Sequence, residues 1–496
     1  MHTQELINKL NEWEFKLSAY NLLLSTAYFD NSTIAPSDGA DYRGDRLAYI
    51  AGEAYTIQID PEIKKILKEL ETLELDSVTK RKVELYLKDI KRLEAIPKDL
   101  YTAFTKTQME AENVWAKAKE TDDYKLFEPY LKTLIDYSKQ FAKLRNPNID
   151  PYDLYLDDYE PGLNKTYYDG FFNKIKEELL PLIKQITNAK PIDDSFIYLN
   201  YPSDGQAKVM QDINEYLGYT KNWGYMGTSP HPFTNGLSCN DVRITTHYDE
   251  GNISSSIYSV IHEVGHAFYE HQMNQNYDGT ILKAVSSGMH ESQSRLFENY
   301  LGRRLSFIKN FYPQLQTTFP EQLSKIDVET FTNAINVSKP SFIRTDADEL
   351  TYPIHILIRY EIEKAIFNET IDLDNLDQVW NEYYENYLGI KPPKASLGIL
   401  QDIHWSGASF GYFPTYALGS AVAAQIINTM AKTINIDEVL ANNQFKVITD
   451  WLKLNIQDQA AMHDLNDILL VTTGETFNPD YYINYLKDKY TKLYQL

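Results

Sequence analysis

Residues 253–271 read ISSSIYSVIHEVGHAFYEH, and the side on which each residue of this run falls decides the fold class. At about 3.6 residues per turn, Ile253, Ile257, Val260, Ile261, Val264, Ala267 and Phe268 make one continuous apolar stripe, so the run is an amphipathic helix and not a strand. His262 and His266 fall nearly opposite that stripe, with Glu263 on its flank. A solvated face in this lysine-rich, acidic chain ought to carry Lys, Arg and several acids. It holds instead Ser255, Tyr258, Ser259, Gly265 and Tyr269, with Glu263 and Glu270 its only acids. Small and hydrogen-bonding groups suit a helix buried on both sides, its second face lining a cleft.

Helical periodicity continues outward from this run. It recurs near residues 4–28, 100–145, 165–187, 287–310, 353–368, 415–432 and 480–494. In SVTKRKVELYLKDIKRLEAIP (77–97), Val83, Tyr86, Leu87, Ile90 and Leu93 share a face, Ser77 is the expected N-cap and Pro97 ends the run. Strand signals are few, FIYLNY (196–201) and VRITTHY (242–248) being the clearest. No internal repeat, low-complexity tract or Gly/Ser linker divides the chain. The expectation is one mainly helical body over residues 1–496, a single domain or two lobes around a deep groove, with a small sheet beside the 253–271 helix.

Composition narrows the function. With 43% hydrophobic and 24% charged residues, the 496-residue chain is of globular type. Its formal charge of −22 repels phosphate backbones and anionic bilayers, so neither nucleic acid nor membrane is expected as a partner. A lone cysteine, Cys239, rules out an intrachain disulfide and fits a reducing compartment. The N-terminus lacks the regions of a secretory signal, and the most apolar stretch, YALGSAVAAQIINTM, is interrupted by Ser420 and Gln425. A soluble cytoplasmic protein is expected.

Two histidines four residues apart on a helix stand about 5–6 Å apart at Cβ, so their imidazoles converge on one zinc ion. A glutamate directly after the first points beside the metal's open position, where it takes a proton from water. A catalytic zinc needs a third protein ligand. Metzincin spacing would require a glycine at 269 and a histidine at 272, where Tyr269 and Gln272 stand; aminopeptidase spacing would require a glutamate at 285, which is Val285. Among downstream acids, Glu270 is two turns along the same helix and too far away, and Asp278 lies in a loop. Glu291 and Glu298 share SSGMHESQSRLFENYLGRR (286–304), and geometry favours Glu291 without excluding Glu298, since a first-turn glutamate also complements the helix dipole.

Six motifs occur together in order: HPF (His231–Phe233), DVRIT (Asp241–Thr245), HEVGH, HESQ (His290–Gln293), IRTDAD (Ile343–Asp348) and GILQDIHW (Gly398–Trp405). In these, spanning about residues 230–420, the chain resembles the carboxypeptidase Taq family of metallocarboxypeptidases. FDNSTIAPSDGADYRGDRLAYIAG and GETFNPDYYINYLKDKY extend the likeness more weakly toward both ends. The resemblance implies a mostly helical gluzincin fold with a deep groove and removal of single C-terminal residues from peptides. It also implies zinc or cobalt as cofactor and a homodimer. By motif position it makes His262, His266 and Glu291 the ligands and Glu263 the general base. Val264 and His271 depart from the usual motif and are expected to alter packing; NIQDQAAMHD (455–464) departs from the pattern near the C-terminus.

A carboxypeptidase must read a free C-terminal carboxylate, and arginine's planar fork does this best. Arg344 is the first candidate and Arg359 the second, the alternative being a structural pair with Asp346, Asp348 or Glu361. Tyr412 and Tyr416, in GYFPTY, are candidate donors to the oxyanion. His404 is a substrate donor or a supporting partner, and Asp402 is a candidate to orient a ligand histidine. The resemblance makes His231, Arg243 and Thr245 a wall at one end of the groove. VRITTHY also offers a strand edge for an extended peptide. An endo-oligopeptidase or dipeptidyl carboxypeptidase on the same scaffold is the first alternative. A catalytically inactive peptide-binding protein is the second, although such proteins usually lose the base or a ligand.

Overall fold

The run at 253–271 forms the helix Ile253–Gln272, started by Asn252, whose side chain accepts from the Ser254 and Ser255 N–H groups. Its apolar stripe is buried; on the opposite face Tyr258, Glu263, Gly265 and Tyr269 are buried, His262 and His266 are half-buried, and Ser255 is exposed. This computed structural model describes residues 2–496, and the body it describes is mainly helical.

A second helix, Ser287–Arg295, is sandwiched between Ile253–Gln272 and Pro414–Met430. Two glycines set the spacing. A methyl group on Gly265 would lie 2.7 Å from Ser294 Cα and 2.8 Å from the Gln293 carbonyl oxygen. One on Gly419 would lie 2.7 Å from Glu291 Cβ and from Glu291 Cγ. Backbones therefore approach as closely as only glycine permits, and Glu291 is pressed toward the histidine pair. After Arg295 the helix widens into a π-turn, Leu296–Leu301, which carries Glu298. Such widenings are frequent at functional sites.

Beside the histidine helix lies a three-stranded sheet: β1 (Gly224–Thr228), β2 (Thr234–Ser238) and β3 (Asp241–Thr246), in the order β1-β3-β2. β1 runs parallel to β3, pairing Tyr225 with Arg243, and β2 runs antiparallel to it, pairing Thr234 with Ile244. VRITTHY is a strand as expected, ending at Thr246, but it is the central one and both its edges are occupied. The free edges belong to GYMGT and TNGLS, whose Gly, Asn and Ser content conceals them as strands.

Other local expectations change with context. FIYLNY is a 3-10 turn, Ser195–Tyr198, followed by extended chain. Phe196, Ile197 and Tyr201 are buried, and the Tyr201 N–H bonds to Glu250 O at 2.8 Å in place of a strand partner. Asp76, not Ser77, caps Ser77–Glu94, because its carboxylate accepts from both Val78 and Thr79. The 100–145 pattern is two helices, Lys98–Thr121 and Tyr124–Arg145, broken where Asp122 turns left-handed at φ 56°.

Two apolar clusters hold the body. The larger contains the site helices. The smaller joins Leu6, Leu10, Trp13, Ile63, Leu67, Leu70, Val83, Tyr86 and Ile90 from the N-terminal helices. Within it a buried Lys82–Glu14 ion pair is completed by the Tyr86 hydroxyl. Among the described residues no helix is long and apolar enough to cross a membrane.

Candidate metal centre and active site

His262, His266 and Glu291 offer three ligand atoms that all lie within 4.8 Å of one another. Glu291 Oε2 is 3.9 Å from His262 Nε2 and 3.5 Å from His266 Nε2. The far side of each ring is held. His262 Nδ1 faces Glu298 Oε2 at 2.9 Å, and His266 Nδ1 faces His290 Nδ1 at 2.6 Å. His290 Nε2 in turn faces Glu270 Oε1 at 3.0 Å. If both ligand histidines carry their proton on Nδ1, this chain of donors is self-consistent and aims both Nε2 lone pairs at Glu291. The second oxygen of Glu291 is held by Arg295 Nε at 2.6 Å. Three free lone pairs, with every other ring nitrogen and carboxylate oxygen already bonded, fit a divalent metal.

Charge around the triad is arranged in layers. Burial opposes the charge on Glu291, but Arg295 and the two histidines hold its carboxyl well below the ordinary range. Glu298 is likewise held down to about 2 against burial by Arg295, His262 and Arg303. Burial, with His290 beside it, pushes His266 down to about 3, leaving a neutral imidazole. Glu263 is buried next to the pair, and Thr234 Oγ1 donates to its Oε2 at 2.6 Å from β2. Burial pushes the Glu263 carboxyl up, partly offset by His262 and Thr234.

The remaining candidates converge on the same region from other elements. Tyr412 and Tyr416 stand with ring centroids 5.2 Å apart, and the Tyr416 hydroxyl faces His404 Nε2 at 3.1 Å. Burial pushes Tyr412 up to about 12, so it stays a phenol and a donor. Arg344 lies over the Tyr416 ring, 4.7 Å from its centroid, and donates to the Tyr352 hydroxyl at 2.9 Å. Arg295, the partner of Glu291, lies over that same Tyr352 at 4.3 Å. Arg344 is thus linked to Glu291 through Tyr352 and Arg295.

Asp402 does not orient a ligand histidine. It is bound by Arg344 at 2.9 Å and by Arg359 at 2.6 Å, and Glu298 and His290 do the orienting. The acid that pairs with both arginines is therefore Asp402, not Asp346, Asp348 or Glu361. Arg359 is fully buried (0% exposed) and its guanidinium is spent on Asp402, the His355 carbonyl and Tyr384, so it supports Arg344 from behind. Arg344, 6% exposed, keeps N–H groups that these bonds do not use.

The three wall residues divide. His231 is exposed, and its carbonyl accepts from Ser229 Oγ at 2.7 Å. Arg243 is half-buried, paired with Asp241 at 2.8 Å and lying over Phe29. Thr245 is fully buried: its hydroxyl donates to Ser229 Oγ at 2.6 Å and accepts from the Phe233 N–H at 3.0 Å. These bonds brace the turn leading into Thr234, the partner of Glu263. Of the two departures, Val264 is core, while His271 is half-buried, stacked on Trp223 at 3.9 Å and bonded to the Cys239 carbonyl. Glu298, His290, Glu270 and Arg295 escaped sequence reasoning as supporting groups. Only the helical spacing of Glu291, Arg295 and Glu298 hinted at it.

A set of packed helices that aims two imidazoles and a carboxylate at one point, with an acid beside the pair, is the construction of a metal-dependent hydrolase. The family model described as Carboxypeptidase Taq (M32) metallopeptidase matches residues 9–490, and the chain belongs to that family. It is a metallocarboxypeptidase. It is 39% identical over 487 residues to carboxypeptidase 1 of Bacillus subtilis, covering 97% of each chain. Thermostable carboxypeptidase 1 of Thermus thermophilus is 32% identical over 510 residues, with 100% of each chain covered. The solved M32 carboxypeptidase from Deinococcus radiodurans R1 superposes with a TM-score of 0.96 at 29% identity, covering 99% of this chain and 100% of that one.

Proposed function

We propose that the protein is a zinc-dependent exopeptidase that removes single residues from peptides with a free C-terminus. Two imidazoles and a carboxylate are a donor set that catalytic zinc sites use, and when bound the ion would supply Lewis acidity. The chain's own groups do the rest. Glu263, steadied by Thr234, takes the proton of the attacking water and delivers it to the departing amine. Tyr412 donates to the oxyanion that develops on the scissile carbonyl, since Tyr416 already spends its hydroxyl on His404. Arg344 grips the terminal carboxylate with paired charge-assisted bonds.

One observation carries the exopeptidase reading. Arg344 and Arg359 share a single bonded carboxylate, Asp402, so two buried guanidinium charges face one negative charge behind Tyr416. A buried surplus of positive charge favours an anionic ligand. Cleavage of a peptide and its C-terminally amidated twin, with metal content measured in parallel, tests this. The amidated twin should resist. Equal cleavage of both would point to an endo-oligopeptidase and refute recognition through Arg344. A cytoplasmic homodimer completes the reading, and light scattering on the purified protein tests the dimer.

A further inference from the structure

The segment that carries Asp402, His404 and Tyr412 has little regular structure between the 3-10 turn Ala395–Leu397 and the helix Pro414–Met430. Side chains from elsewhere must hold it. On one side the helix Lys98–Thr121 straps its backbone: Gln108 Nε2 donates to Gly407 O at 2.8 Å, Trp115 Nε1 to Leu400 O at 3.1 Å and Lys119 Nζ to Gln401 O at 2.9 Å. On the other side stands Glu363, on the helix Tyr352–Phe367 that also carries Arg359.

Glu363 is fully buried. Its Oε1 accepts from Trp405 Nε1 at 2.8 Å. Its Oε2 accepts from the Gly411 N–H and from the Tyr152 hydroxyl, both at 2.9 Å. Among the described residues no Lys, Arg or His lies within ion-pair distance of it. A buried carboxylate without a counter-ion is costly, and a neutral amide is not an equivalent replacement here. Both oxygens face donors, and only an acceptor-only group satisfies them; the NH2 of a glutamine would meet another N–H or O–H. Burial pushes the carboxyl up to about 7, and Gly411, Trp405, Tyr152 and Arg359 pull it back.

Trp405 directly follows His404, and Gly411 directly precedes Tyr412. We propose that Glu363 is a positioning residue for the peptidase reaction, pinning Trp405 and Gly411 to one carboxylate so that Tyr412 is held toward the metal triad. This rests on the assignment of Tyr412 as oxyanion donor.

The test is a double-mutant cycle of E363Q and Y412F in the full-length, metal-loaded enzyme, with kcat, KM, metal content and thermal unfolding measured for each protein. In the wild-type background E363Q should lower kcat about tenfold or more, with KM within about twofold and metal content unchanged. In the Y412F background it should lower kcat by no more than about twofold, because the group it positions is already missing. An unchanged kcat in E363Q beside an impaired Y412F overturns the positioning role alone. The same tenfold loss in both backgrounds also overturns it, since Glu363 would then act on the whole fold. Full activity of Y412F by itself removes Tyr412 from the chemistry and the proposal with it. If E363Q does not accumulate in folded form, E363D replaces it with the same expectations. That variant keeps the charge but is too short to reach all three donors.

Discussion

Replacing Gly419 with alanine tests whether helix spacing sets the metal site. The added methyl would stand 2.7 Å from Glu291 Cβ and Cγ and 3.0 Å from its backbone carbon. Carbon pairs rest at about 3.5–4.0 Å, so the helix Ser287–Arg295 has to retreat by about 1 Å. It has nowhere to go, because its other side already meets Gly265 at a distance that admits no methyl. Overpacking of this kind costs about 1–3 kcal/mol of stability. A 1 Å misplacement of a ligand carboxylate costs about 10²-fold in rate. G419A should therefore fold with reduced thermal stability, lose metal at lower chelator concentration than the wild type, and show about 10²-fold lower kcat/KM on a peptide substrate. Gly170, which lies in the helix Lys165–Thr187 with open space around its Cβ position, is the control: G170A should be neutral or slightly stabilising. A G419A enzyme with wild-type metal retention and undiminished turnover would refute the idea that the two glycines hold Glu291 against the histidines.

Three further outcomes are expected. E298Q removes the charge that faces His262 Nδ1 and leaves Arg295 and Arg303 without their shared anion; metal affinity, read by chelator competition, should fall about 10–100-fold. E263Q should retain metal while turnover drops by about 10²–10⁴-fold, and a fully active variant would remove Glu263 from the mechanism. Glu160, fully buried and bonded to the Gly288 N–H, has its carboxyl pushed by burial from 4.5 to about 8. The folded chain keeps this proton while the unfolded chain releases it above about pH 4.5, so stability should fall as pH rises from about 5 to 8. E160Q cannot titrate and should flatten that decline in denaturant melts across the same range; an unaltered slope would show that other groups cause it.

What can be read in one dimension is whatever depends on neighbours along the chain. The amphipathic helix 253–271, the i,i+4 histidine pair, its adjacent glutamate and the ordered motifs around them depend on 3.6-residue periodicity and spacing, and the helix formed with its apolar stripe buried and its histidine face half-buried. Helical spacing leaves Glu291 and Glu298 both open, motif position favours Glu291, and the fold brings Glu291 to the pair. Partnership across the chain was not legible. Nothing in TNGLS marks it as the edge strand that delivers Thr234 to Glu263, because a Gly- and Asn-containing segment becomes a strand only when β3 is there to pair with it. Asp402 stands two residues before a histidine in sequence, yet it serves two arginines 58 and 43 residues away, and Glu298 holds His262 instead. Ion pairs and hydrogen bonds between distant residues are chosen by which groups packing leaves dry and adjacent. Three packed helices, two of them bearing a glycine at the point of contact, made that choice.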